Sequence, residues 1–171
     1  MNKAVFLDRD GVLNQDKVDY VYTIEEFRIF DGVAEALLLL KNADYKLIII
    51  TNQSGIAKGI YTEKAVFDCF DYLQSETGNL IDDMFFCPHH PKFDVVCECR
   101  KPGHKMISDA VLKYDIDIKK SFMVGDAQRD ITAGNNAGLK TIHINNGKES
   151  AAGAKFVTKN LLEATKWILK N

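Results

Sequence analysis

Only three prolines and one tryptophan occur among the 171 residues, and no stretch concentrates Gly, Ser and Pro. A flexible linker between two halves is therefore not visible, and collagen-like or Pro-rich disorder is excluded. Long hydrophobic runs are also missing. The longest, residues 36–40 and 47–50, fall far short of the ~20 needed to span a bilayer and read as a helix face and a short strand. Charge of one sign is missing too: 22 basic residues stand against 24 acidic ones, a net charge of -2. That balance gives no electrostatic case for nucleic acid or an anionic membrane. The opening Met1-Asn2-Lys3-Ala4 runs straight into a strand pattern and lacks the apolar core and cleavage site of a signal peptide. A cytoplasmic address, no nucleic-acid or membrane partner and a monomeric state are the expectations.

What is present is ordinary globular material, 46% hydrophobic and 27% charged. The length fits one domain over residues 1–171, burying roughly 70% of the surface its unfolded chain would expose. Strand and helix patterns alternate. Ala4-Val5-Phe6-Leu7 is a short apolar run that ends at Asp8. Asp31 is expected to cap a helix to about Lys41, with Val33, Leu37 and Leu40 on one face. Leu47-Ile48-Ile49-Ile50 is continuous and β-branched, the pattern of a strand buried on both sides. Thr62 can cap a helix that stops near Gly78. A strand over 81–86, a helix over 106–114, a strand over 121–124 and a short helix over 131–137, closed by Gly138, follow. The chain then reads as a strand over 141–144, a strand at 156–157 and a helix over 161–169 capped by Asn160. This is a Rossmann-like α/β pattern: a parallel sheet with helices on both faces, whose ligand site lies beyond the carboxyl ends of the strands. Asp8, Thr51, Cys87 and Asp126 all fall at such ends.

Four clusters carry polar chemistry. Asp8-Arg9-Asp10-Gly11 offers two carboxylates at i and i+2, one able to attack and one to move a proton. Two close anions call for a counter-charge, and carboxylate oxygens suit Mg²⁺. The bland reading is a capped Asp-Gly turn. Thr51-Asn52-Gln53-Ser54-Gly55 can make an anion-sized nest or a simple polar turn. Arg100-Lys101-Pro102 can clamp a doubly charged group or sit solvated. Gly125-Asp126-Ala127-Gln128-Arg129-Asp130 can complete an oxygen cage for Mg²⁺ or merely cap a helix. Among the four cysteines, Cys69 lies in a helical stretch as a small buried residue. Cys87, Cys97 and Cys99 cluster with His89 and His90, and in a reducing compartment that clustering suggests zinc. His143 alternates within a strand and reads as structural, as does the helix face around Trp167.

No cluster is specific alone, but their order is. D-x-D after the first strand, Thr after the second, Lys before a helix and G-D-x-x-x-D after a later strand resemble the haloacid-dehalogenase-type phosphohydrolases over about residues 4 to 138. The elements D-R-D-G, T-N-Q-S-G-I, C-P-H-H-P and C-x-C-R-K-P resemble the branch shared by the heptose bisphosphate and histidinol-phosphate phosphatases. The resemblance implies a haloacid-dehalogenase fold without a separate cap domain, carrying a zinc loop at 87–99. It implies Asp8 as the nucleophile of an aspartyl-phosphate and Asp10 as acid, then base. Asp8, the backbone carbonyl of Asp10, and Asp126 would hold Mg²⁺, and Thr51 and Lys101 would steady the phosphoryl group. Asp16, Tyr20, Asn52, Gln53, Ser54 and Arg100 would touch substrate. Cys87, His89, Cys97 and Cys99 would bind structural Zn²⁺. The implied substrate is D-glycero-D-manno-heptose 1,7-bisphosphate, losing its C7 phosphate, with histidinol phosphate the rival. Ala127 stands where heptose phosphatases often carry lysine. Two non-enzyme readings are weaker. A phospho-receiver carries its acceptor at a middle strand and needs no Cys/His loop, and an inactive zinc-stabilised domain would not need Asp8, Asp10, Lys101 and Asp126 together.

Overall fold

The computed structural model describes residues 1–147 and 151–171. Among these residues lie six strands and five α-helices, alternating except that β6 follows β5 directly. They are β1 (Lys3–Leu7), α1 (Val33–Asn42), β2 (Tyr45–Asn52), α2 (Glu63–Thr77), β3 (Asp83–Cys87), α3 (Lys105–Tyr114), β4 (Phe122–Gly125), α4 (Gln128–Asn136), β5 (Lys140–Ile144), β6 (Phe156–Thr158) and α5 (Leu161–Ile168). Every strand pairing is parallel, in the order β3-β2-β1-β4-β5-β6.

Strand alternation sorts the core into two layers. Val5, Leu7, Leu47, Ile49, Phe122 and Val124 face α1, α2 and α5. Ala4, Phe6, Ile48, Ile50 and Met123 face α3 and the Ala133 side of α4. Burial on both faces explains why β2 reads as an unbroken β-branched run rather than an alternating one. No helix among the described residues is long and apolar enough to cross a membrane.

Several boundaries differ from the sequence expectation, each for a local reason. Helix α1 starts at Val33, with Gly32 rather than Asp31 at its N-cap. Gly32 sits at φ 80°, the left-handed region that a side chain resists. Thr62 does precede α2, but its hydroxyl makes no cap hydrogen bond. Helix α4 begins at Gln128, three residues early, because the Asp130 carboxylate accepts the Ala127 N–H at 3.0 Å and satisfies that end. Asn160 caps α5 as expected, accepting from Glu163 N–H at 2.9 Å.

The order places the functional edge. From β1 the chain winds outward through β2 and β3, then returns to β4 on the other side. The carboxyl ends of β1 and β4 therefore flank the topological switch, where open α/β sheets form a crevice. Asn52 pairs in register with Cys87, so the segment after β2 and the cysteine loop after β3 leave the same edge side by side.

Candidate active site and metal centres

Asp8 extends β1 by one residue, donating its N–H to the Val124 carbonyl at 3.0 Å. Its side chain is buried, with the Oδ1 oxygen held by the Arg9 N–H at 2.7 Å and by Lys101 Nζ at 2.9 Å. Lys101 is only 2% exposed. Its ammonium also reaches Asp130 Oδ1 at 2.7 Å and donates to the Ile50 carbonyl at 2.7 Å, so three acceptors face its three hydrogens. Burial alone would lower the Lys101 pKa, but Asp130 and Asp8 outweigh it and raise it above the usual lysine range. Asp8 is pushed up to about 7, since burial and the Asp130 charge together exceed the pull of Lys101 and Arg129. The protein alone thus leaves this carboxylate short of positive charge.

Asp10 is held differently. Arg9 Nη2 donates to its Oδ1 at 2.9 Å, Arg9 Nε reaches both oxygens at 3.2 Å, and Asn14 Nδ2 reaches Oδ1 at 2.9 Å. Arg9 is fully buried, also donates to the Val21 carbonyl at 2.7 Å, and lies 5.4 Å from the Phe27 ring centroid. A buried guanidinium in the middle of D-R-D-G is a brace for its neighbour. Its position inside the motif was the only sequence signal, and alternation alone gave no reason to bury it.

A cavity of about 290 Å³ opens over these groups, lined by Asp8, Asp10, Asp16, Lys17, Val18, Tyr20, Thr51, Asn52, Ser54, Arg100 and Arg129. Five of the six residues expected to touch substrate, Asp16, Tyr20, Asn52, Ser54 and Arg100, stand in its wall. Gln53 does not: it is buried behind the wall, bonded to Asp10, Thr51 and Tyr61. Asn52 clasps the main chain of Lys101, accepting its N–H at 3.0 Å and donating to its carbonyl at 3.1 Å. Arg129, to which the residue pattern assigns no role, projects from the first turn of α4 to the cavity wall. Burial opposes its charge, but Asp8, Asp130, Asp126 and Asp16 raise its pKa.

Among the described residues two clusters can hold metal. Carboxylate oxygens of Asp8, Asp126 and Asp130 lie within 4.8 Å of one another, all buried. Gly11, at φ 86°, leaves room for this group: a Cβ there would collide with the Asp126 carboxylate. The Asp126 carbonyl lies 3.1 Å from His143 Nε2, and His143 Nδ1 accepts the Ala151 N–H at 3.3 Å, so Nε2 carries the proton. His143 is thus a structural prop, as its strand position indicated. An all-oxygen, charge-deficient set fits Mg²⁺. Asp130 joins the expected Asp8 and Asp126 here while also capping α4 and pairing Lys101.

The second cluster is Cys87, Cys97 and Cys99, with sulfur separations of 3.1, 3.3 and 3.5 Å. Burial, then the Cys99 contact, pushes the Cys87 thiol up, whereas backbone and thiol hydrogen bonds outweigh burial and lower Cys97. Three convergent sulfurs fit a soft ion such as Zn²⁺. His89, expected as the fourth ligand, is outside this cluster, with its Nδ1 2.8 Å from Asp94 Oδ2. Asp94 was not anticipated, because its link to His89 depends on how the loop turns. A carboxylate on one imidazole nitrogen is a common partner of metal-bound histidine and leaves the other nitrogen for an ion.

A parallel sheet with D-x-D, Thr, Lys and G-D-x-x-x-D gathered at its switch point defines the haloacid-dehalogenase class of hydrolases, and residues 98–164 match the HAD-hydrolase-like family model. The chain is 39% identical over 172 residues to D-glycero-beta-D-manno-heptose-1,7-bisphosphate 7-phosphatase of Pasteurella multocida strain Pm70, covering 96% of this chain and 93% of that protein. It is 42% identical over 164 residues to the D-glycero-alpha-D-manno-heptose-1,7-bisphosphate 7-phosphatase of Campylobacter jejuni serotype O:2, covering 94% and 92%. The crystal structure of D,D-heptose 1,7-bisphosphate phosphatase from B. bronchiseptica, complexed with magnesium and phosphate, superposes with a TM-score of 0.89 at 31% identity, covering 98% of both chains. At this identity and coverage the chain belongs to the heptose-1,7-bisphosphate 7-phosphatase family of haloacid-dehalogenase-type phosphatases.

Proposed function

We propose that this protein is a Mg²⁺-dependent phosphatase that removes the C7 phosphate of D-glycero-D-manno-heptose 1,7-bisphosphate through a phospho-Asp8 intermediate. The product would feed lipopolysaccharide or related surface-glycan precursors. The observation that carries the chemistry is the setting of Asp8: a buried carboxylate anchored through one oxygen, at a cavity that also holds Asp10, Thr51 and Arg100. The choice of heptose is supported by the names of the relatives.

In this reading an Asp8 oxygen attacks phosphorus and the bond from phosphorus to the sugar oxygen breaks. Asp10 gives its proton to the departing alcohol. Water then attacks the phosphorus of the acyl phosphate, Asp10 takes the water proton, and the Asp8 carboxylate is restored. Lys101 and Thr51 offset charge on the phosphoryl oxygens during both steps. Asp8, Asp126 and the Asp10 carbonyl, with Asp130 beside them, would hold Mg²⁺, which when bound neutralises the facing anions. Asp16, Tyr20, Asn52 and Ser54 orient the sugar, and Arg100 grips the second phosphate, the one not transferred, with its planar fork. Cys87, Cys97, Cys99 and His89 would hold Zn²⁺, bracing the loop that aims Arg100 and Lys101.

The deciding assay is phosphate release from both anomers of the heptose bisphosphate, histidinol phosphate, other sugar phosphates and a 3′-phosphorylated oligonucleotide. A heptose bisphosphate should give the highest kcat/KM. Histidinol phosphate ahead of both anomers would move the assignment. Arg100→Ala should lower kcat/KM for the bisphosphate far more than for a small monophosphate; equal losses would place Arg100 at the transferred phosphate.

A further inference from the structure

Gln53 and Tyr61 take no part in the steps above, yet both are buried next to them. Gln53 is 1% exposed. Its Nε2 donates to Asp10 Oδ2 at 3.1 Å and to Thr51 Oγ1 at 2.9 Å, and its Oε1 accepts from the Tyr61 hydroxyl at 2.7 Å. With Asp10 ionised, the amide faces this way. A carboxylate only accepts, so the NH₂ side must meet Asp10, and Oε1 is left for a donor. Arg9 and Asn14, which also hold Asp10, belong to its own loop after β1. Gln53 is the contact that ties Asp10 across to β2 and to Thr51.

Tyr61 is built to supply that donor. Its ring stacks on Tyr22 with centroids 5.0 Å apart and meets Tyr20 edge-on at 5.8 Å. Burial pushes its phenol up to about 12, so the hydroxyl keeps its hydrogen. The turn that returns Tyr61 to Gln53 is closed by the Ile60 N–H on the Gly55 carbonyl at 2.9 Å. A Cβ at Gly55 would run into the Tyr61 ring, which is the steric reason for glycine in T-N-Q-S-G.

We infer that Tyr61 is a positioning residue for the reaction: its hydroxyl, acting through the Gln53 amide, fixes the Asp10 carboxylate and the Thr51 hydroxyl in one geometry. This rests on the reading of Asp10 as acid and base. Tyr61→Phe removes one oxygen and keeps both ring contacts, so the fold should be retained, with Tm lowered by several degrees because the buried Gln53 Oε1 loses its donor. On the substrate identified by the panel, with Mg²⁺ present, Tyr61→Phe should lower kcat about tenfold, part of the ~10²–10⁴ that a placed proton donor supplies, with KM within about twofold. Gln53→Ala should lose at least as much. The double variant should be no worse than Gln53→Ala alone, because the hydrogen-bonded link from the hydroxyl to Asp10 runs through the Gln53 amide. An unchanged kcat in Tyr61→Phe, a change confined to KM, or additive losses in the double variant would each overturn the inference. Asp10→Asn separates the two levels. If it turns over like wild type, the acid–base reading fails and takes this one with it. If it is inactive while Tyr61→Phe matches wild type, only the Tyr61 relay fails.

Discussion

Lys101 keeps a full charge in a buried site because Asp8, Asp130 and the Ile50 carbonyl surround it. Removing it would leave two buried carboxylates with no ammonium between them. Lys101→Met should therefore cost about 3–5 kcal/mol in urea unfolding at neutral pH, the usual penalty for breaking a buried ion pair from one side. A loss under about 1 kcal/mol would mean that the pair is far better solvated than its burial implies. Asp8→Asn is a different kind of change, nearly isosteric but unable to act as a nucleophile. It should reduce kcat by about 10³-fold or more with a native circular dichroism spectrum. Wild-type turnover from protein shown by mass spectrometry to be free of deamidation would sink the nucleophile assignment.

At the scale of elements, Asp82 stitches three segments together just before β3. It accepts from Lys41 of α1 at 2.8 Å, from Lys46 of β2 at 3.0 Å and from the Leu47 N–H at 2.8 Å. Burial would raise its pKa, but these donors prevail and hold it below the usual carboxylate range. The sign follows: a folded pKa below the unfolded one adds stability that is present above the unfolded value and is lost as pH falls through the folded one. Asp82→Asn should cost about 1–2 kcal/mol at pH 7, discounted because both lysines are partly exposed, and the gap to wild type should close in acid. A gap that does not depend on pH would exclude the charge as its source. Helix α4 offers a steric counterpart. A Cβ at Gly134 would approach Thr141 Cγ2 to 2.6 Å and Met123 Cβ to 2.8 Å, so Gly134→Ala should cost about 1–3 kcal/mol despite the better helix propensity of alanine.

Across the whole molecule, two chemically distinct donor sets share one sheet edge. The oxygens of Asp8, Asp126 and Asp130 sit at the switch between β1 and β4, and the sulfurs sit at the last residue of β3 and in the loop after it. Removal of metals should therefore separate two effects. EDTA should stop turnover at once, with Mg²⁺ restoring it, whereas loss of zinc should lower Tm and loosen the Arg100-Lys101 loop. Elemental analysis of protein prepared without added zinc should find about one zinc per chain, the count of one closed site. No zinc, with all three loop thiols titrating freely in the native state, would remove the zinc centre from the scheme.

Much of this was legible in the residue order because it is local. The unbroken Leu47-Ile48-Ile49-Ile50 run, Gly78 and Gly138 at helix ends and the polar residue after each strand report neighbours one to four positions apart. They fix a parallel sheet and the edge on which its chemistry sits. Asp8, Thr51 and Asp126 were readable as polar residues at strand ends, whereas their roles and that of Lys101 came from the order of the motifs and the resemblance it carries. The tertiary structure alone decided what crosses between elements. Gln53 turns away from the cavity because its amide is claimed by Asp10, Thr51 and Tyr61. Asp130 serves helix cap, ion pair and carboxylate cluster at once because the Lys101 loop folds back onto α4. His89 pairs with Asp94 because of the path of its loop. Such contacts join residues that no short-range spacing relates, so only the packed chain could specify them.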